Sequence, residues 1–238
     1  MLLFLLLFCP TLLGAQEVKY LDLTAITQRT ELRYPPAPPP NCEEGKPCAG
    51  GGWGGVSIAD GTPDIRDSHA LGVQLLQVTP ADINPAQPFQ AEFRVLNTGL
   101  APIELPISPH LSDLQPADES SPFTYLSLAL VLQVEDESQK WTPVLGYVEL
   151  YGFSDQDGMT LVLKPGQWIR VKANVKFRSS PPQAMTAFLR GGFWLRKNTY
   201  TPHPGGSYTA IENLYPNSTR TPAIPAHLII PSGSPSSQ

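Results

Sequence analysis

The sequence is poor in the residues that build chemistry. Among 238 residues there are three cysteines and four histidines. His69, His110, His203 and His227 stand far apart, without the spacing that brings two ligands to one metal ion. No serine sits in a GxSxG elbow, no HExxH pair occurs, and no glycine loop leads into Lys and Ser or Thr to cradle a phosphate. These absences point to a noncatalytic protein with no cofactor and no metal. Charge narrows the partners. Sixteen basic against 21 acidic residues give a net charge of -5 with no basic stripe, which argues against nucleic acid. After residue 15 no apolar run approaches the roughly 20 residues that span a bilayer, so no transmembrane segment is expected. Proline and glycine are plentiful, at 27 and 19, but lack the three-residue period of collagen and read as turns and extended arms.

What is present begins with MLLFLLLFCPTLLGA, residues 1–15, which is charge-free, too short to span, and ends in the small pair Gly14-Ala15. It reads as a signal peptide, placing the protein outside the cell, at its surface or in a periplasm. Residues 16–70 then form an N-terminal arm with one short strand near YLDLTAI and a spacer, YPPAPPP at 34–40, that favours polyproline II. With Cys9 gone, Cys42 and Cys48 remain as an even pair, and in an oxidising compartment CEEGKPC is expected to close as a local disulfide. The following AGGGWGG offers Trp53 as an anchor on a conformationally permissive loop, or as a ring folded over the core.

Residues 71–200 carry the strand signals. In PFQAEFRVLNTG, residues Phe89, Ala91, Phe93 and Val95 alternate with Gln90, Glu92 and Arg94, and Asn97-Thr98-Gly99 ends the run as a turn. In KPGQWIRVKANVKF a Pro165-Gly166 turn precedes Ile169, Val171, Ala173, Val175 and Phe177, alternating with Arg170, Lys172, Asn174 and Lys176. FTYLSLALVLQVED puts leucines on one face and Tyr125, Ser127, Ala129 and Val131 on the other, so this strand is expected to be covered on both sides. AMTAFLRGGFWLRK reads as one bent strand or as a hairpin around Gly191-Gly192. SDQDGM, residues 154–159, reads as a hairpin turn rather than a calcium loop. With GVQLLQV, TPVLGYVELYGF and MTLVL, seven or more strands result, and the expected fold is an all-β antiparallel sandwich of two face-to-face sheets. The proline-rich segment 201–238 is expected as an irregular C-terminal strap and tail, with Asn217-Ser218-Thr219 matching a glycosylation pattern.

VLNTGLAPIEL followed by LKPGQWIRVKANVKF resembles the secreted immunoglobulin-like modules of bacteria over residues 71 to 180. The resemblance implies an immunoglobulin-like sandwich and roles in adhesion, display or assembly, and it carries no catalytic residues. The Cys-Trp-Cys core arrangement of antibody-type domains is missing. The function expected is protein interaction, as an accessory or structural subunit of an extracellular or cell-surface assembly. Carbohydrate binding through exposed aromatic rings is the alternative. Candidate contact residues are Trp53, Trp168, Trp194 and Tyr200, and Trp168 is expected to face outward because it alternates with Ile169.

Overall fold

The computed structural model describes residues 15–28, 57–59, 71–135, 147–154, 156–177, 184–203, 206–214 and 222–229. Among them the chain runs β1 (Gln16–Asp22), β2 (Ser57–Ala59), β3 (Leu71–Thr79), β4 (Asp82–Ile83), β5 (Phe89–Asn97), β6 (Ile103–Pro106), a 3-10 turn at Leu111–Asp113, β7 (Phe123–Glu135), β8 (Tyr147–Gly152), β9 (Thr160–Leu163), β10 (Gln167–Val175), β11 (Met185–His203), β12 (Gly206–Asn213) and β13 (Ile224–Leu228). Four strands make one sheet in the order β1-β10-β5-β3, seven make a second around β11, and β6 pairs with β9. The fold is all-β, largely antiparallel and multi-sheet, with the larger sheet curled. Only β1 with β10, β2 with β12 and β4 with β13 run parallel among the described strands.

The alternating patterns decide which faces meet. Phe89, Ala91, Phe93 and Val95 on β5 are buried, as are Ile169, Val171, Ala173 and Val175 on β10. They pack in one cluster with Leu128, Leu130 and Leu132 of β7 and with Ala187, Leu189, Phe193 and Leu195 of β11. Burying each large apolar side chain contributes about 1.5–3 kcal/mol. β7 lies between β11 and β8, and Tyr125, Ser127, Ala129 and Val131 on its other face are also buried, as its two-sided pattern predicts.

The two turns named in the resemblance meet at one corner. Lys164 O accepts Gln167 N at 3.0 Å, with Gly166 at φ 78° supplying the left-handed position that follows Pro165. Gly166 N then donates to Asn97 O at 3.0 Å. The Asn97 side chain is fully buried. Its amide donates to Ala101 O and Leu163 O, both at 2.8 Å, and its carbonyl accepts Gly99 N at 2.9 Å. Every side-chain donor is therefore used, which lets a polar group sit in the interior without an uncompensated desolvation cost.

The flanks between the sheets are closed in two ways. On one, β11 passes so near β3 that a Cβ on Gly191 would lie 2.9 Å from Leu75 N and 3.1 Å from Gln74 C. Gly191 marks a close backbone approach inside one continuous 19-residue strand, so the hairpin alternative for residues 184–197 is set aside. On the other flank the segment 16–28 leaves β10, where Leu23 N donates to Lys172 O at 2.8 Å, and reaches β8. There the Gln28 side-chain amide both donates to Glu149 O and accepts Glu149 N, occupying backbone groups on the edge of β8 that faces away from β7. Leu23 of this segment is buried in the core.

Three expectations are corrected. The segment expected as an irregular C-terminal strap supplies regular strands: β12 and β13 both lie along one edge of β11 while β7 takes the other, whereas β1, which extends the smaller sheet, falls where the arm was expected to hold a short strand. The described residues 156–159 of SDQDGM form a turn, with Gly158 at φ 81°, but it lies between strands of different sheets, since β8 pairs with β7 and β9 with β6. The disulfide is withdrawn: no disulfide bond occurs among the described residues, Cys42 and Cys48 lie outside them, and packing and backbone pairing hold the described fold without one. Among the described residues no helix is long and apolar enough to cross a membrane.

Candidate interaction surface

The outer face of the smaller sheet is built from the polar half of the same alternation. Register places Arg170 directly opposite Arg94, a like-charge pair that would be unfavourable if both guanidiniums stayed on the strand-to-strand line. They diverge. Arg94 lies over the Trp168 ring at 4.5 Å. Arg170 forks onto Glu17, with Nη2 at 2.8 Å from Oε2 and Nε at 3.1 Å from Oε1, and reaches Glu92 at 3.3 Å. Glu92 also accepts the Gln77 amide at 2.8 Å. The Arg170 guanidinium stacks on Tyr20 at 4.9 Å, and hydrogen bonding to Glu17 raises its pKa further, so it stays charged throughout.

Among the described strands β1 is the outermost of this sheet. Because Leu23 N bonds to β10, the alternation of a parallel ladder turns Leu21 toward β10 and leaves the backbone groups of Tyr20 and Asp22 directed away from it. Tyr20 is 46% exposed. Its phenol is held above its ordinary pKa, first by desolvation and then by the Asp22 and Glu92 carboxylates. Asp22 is lowered, chiefly by the Thr24 hydroxyl, which donates to it at 2.7 Å. The edge carries two of the features that discourage indiscriminate pairing: a bulge between Glu17 and Lys19, and the lysine itself.

The outer face of the larger sheet differs along its length. At one end Phe123 stacks with Tyr200 at 4.9 Å and with Phe153 at 5.6 Å, and Leu111 and Leu114 join the same buried cluster. Tyr125 lies in it, and burial followed by the Glu149 charge pushes its phenol up to about 12. Tyr151 donates to the Glu149 carboxylate. Farther along, Asn198 donates to Ser127 Oγ at 2.9 Å, and Trp194 reaches solvent at 44% exposure with Arg196 over its ring at 5.0 Å.

The structure thus separates the candidate residues. Trp168 faces outward as expected, but Arg94 occupies one side of its ring. Trp194 lies on the outer face of the other sheet, so the two rings share no platform. Tyr200 is 5% exposed and packs inside the aromatic cluster. Trp53, Trp141, His69, Cys42 and Cys48 lie outside the described residues. His227 Nδ1 sits 3.1 Å from Thr186 Oγ1, and among the described residues no three His, Cys, Asp or Glu side chains gather as a metal site. The sequence reading missed Tyr20 and Arg170 as site residues. Their signal was the charged alternation of KPGQWIRVKANVKF beside the short strand in the arm. No protein-family model, curated protein or solved structure matches this chain.

Proposed function

We propose that the chain is a noncatalytic, secreted interaction module that pairs the outward edge of β1 with an extended strand of a protein partner. The observation that carries this reading is the position of β1: its Tyr20 and Asp22 backbone groups point away from β10, and Tyr20 is exposed beside them. The other edge of the same sheet, β3, is turned against β11 at Gly191. Backbone pairing along an edge supplies affinity, and the side chains flanking it supply register. The immunoglobulin-like reading of residues 71–180 belongs to the same proposal, supported by the junction between the Asn97 and Gly166 turns, and modules of that kind serve in adhesion and assembly.

The test uses Asp22→Pro, which removes an outward N–H while sparing the backbone bonds that β1 makes to β10 and the Tyr20 ring on Arg170. Light scattering on wild-type protein purified from its native source is expected to show a complex heavier than the chain. The variant is expected to fold and run as the free chain. Wild-type protein that runs alone, with Tyr20 and Asp22 amides exchanging as freely as in solvent-exposed backbone, would overturn the proposal.

A further inference from the structure

The inward side of β1 supports a second interaction, which rests on the interaction-module reading but uses the opposite edge of the strand. Among the described strands, β1 pairs only with β10. Its side chains reach the core at Leu23, which is buried, and at Val18 and Leu21, which are partly buried. The site it occupies is specific in its side-chain demands. Arg170 forks onto Glu17 and stacks on Tyr20, and Asn174 Nδ2 donates to Thr24 O at 2.7 Å. At the far end, the edge of β8 takes the amide of Gln28. An acceptor so furnished selects the sequence QEVKYLDLTAITQ, residues 16–28, and that sequence is carried by every copy of this chain.

We propose that the groove along β10 and β8 is a strand-acceptor site and that residues 16–28 of a second copy can fill it, giving a strand-exchanged dimer. Charge complementarity carries the choice of occupant. The groove presents Arg170 between Glu92 of its own sheet and the incoming Glu17, so a strand with an acid at that position is drawn in and one with a base is repelled. Tether length permits it. Residues 29–56 join the segment to β2 and include YPPAPPP, and at about 3.1 Å per residue they reach roughly 85 Å when extended, ample for a neighbouring copy. Exchange preserves the contacts of the closed chain, so its equilibrium is set by concentration and tether entropy rather than by new chemistry.

The experiment exploits the ion pair. Full-length Glu17→Lys and Arg170→Glu variants each place like charges in their own groove and are expected to remain monomers when kept apart. Mixed, they can exchange strands so that the lysine introduced at position 17 of one meets the glutamate introduced at position 170 of the other, while the native Glu17 of the second meets the native Arg170 of the first. Native mass spectrometry is expected to find that mixed dimer. In parallel, full-length Glu17→Lys is expected to bind a dye-labelled peptide of residues 16–28. Full-length Arg170→Glu is expected to bind that peptide at least tenfold more weakly and to recover with a peptide carrying lysine in place of Glu17. Absence of a mixed dimer overturns the second copy as occupant even if the peptide binds, and peptide binding indifferent to charge overturns the acceptor site. Should either variant lose the wild-type circular dichroism spectrum, isotopically labelled and unlabelled wild-type chains mixed at high concentration decide the matter, with no mixed dimer as the overturning result. Asp22→Pro in the same mixing assay separates the two readings, since it removes an outward N–H of the edge and leaves Glu17, Tyr20, Gln28 and their partners in the acceptor site in place.

Discussion

The two flanks between the packed sheets are closed by different physics. At the β3–β11 flank, backbone approaches backbone across a glycine, and nothing can be withdrawn without separating the sheets. At the β1–β8 flank, the segment 16–28 lies across the opening, held by backbone pairing to β10, one buried leucine, an ion pair, a stacked ring and side-chain amides. The first closure is part of the core. The second is a single edge strand whose side-chain contacts are mostly at the surface and individually small, so this is the flank expected to open first.

Substitution at the first flank should give the largest effect. Gly191→Val sets a branched side chain against Leu75 N and Gln74 C, backbone atoms that cannot rotate aside. Destabilisation of about 3 kcal/mol or more is expected from such overpacking, read as a lower midpoint in denaturant unfolding. A loss below about 1 kcal/mol would show that the β3–β11 closure yields as readily as the strapped one.

Alkaline pH should act next, through the aromatic cluster of the larger sheet. Tyr125 titrates at about 12 in the folded chain against 10 unfolded, because it is buried and faces Glu149, the residue that Gln28 pairs with. A raised value means the stabilisation is complete below pH 10 and is lost as pH rises toward 12, amounting to about 2–3 kcal/mol. Unfolding curves from pH 9 to 12 are expected to show that loss in the wild type and not in Tyr125→Phe. Equal slopes in both would disconnect Tyr125 from the effect.

The smallest effect separates the two flanks most cleanly. Glu17→Ala removes the fork on Arg170, but both side chains are partly exposed, and solvent screening keeps the expected cost between about 0 and 1 kcal/mol. Amide exchange at Leu21 and Leu23 should nevertheless accelerate while exchange in β3 and β11 stays unchanged. Uniform acceleration would mean that the two flanks open together.

Much of this was legible in the chain, residue by residue. β5 and β10 show their dry and wet faces directly, because one face is buried and the side-chain period of a strand is two. The turns at Asn97-Thr98-Gly99 and Pro165-Gly166 were readable from residue type, but their junction was not, since no local rule ties Asn97 to Leu163 and Gly166. Gly191 looked like a possible hairpin because glycine in a strand signals either a turn or a close approach, and only the neighbour distinguishes them. β12 and β13 hid among prolines and glycines, their strand state set by pairing with β11 rather than by propensity.

Trp194 and Tyr200 show where that boundary falls. Both lie on the outer face of β11, and alternation treats them alike. One meets solvent and the other is covered by a cluster that includes Leu111 and Leu114, far earlier in the chain. Local chain chemistry was enough to set an all-β protein with greasy and wet faces, since a strand's side-chain period and the cost of burying charge act over a few residues. Which outer rings meet solvent, which flank is sealed by glycine and which by a strand came only with the assembled fold, because each depends on what segments distant in sequence bring to the same place.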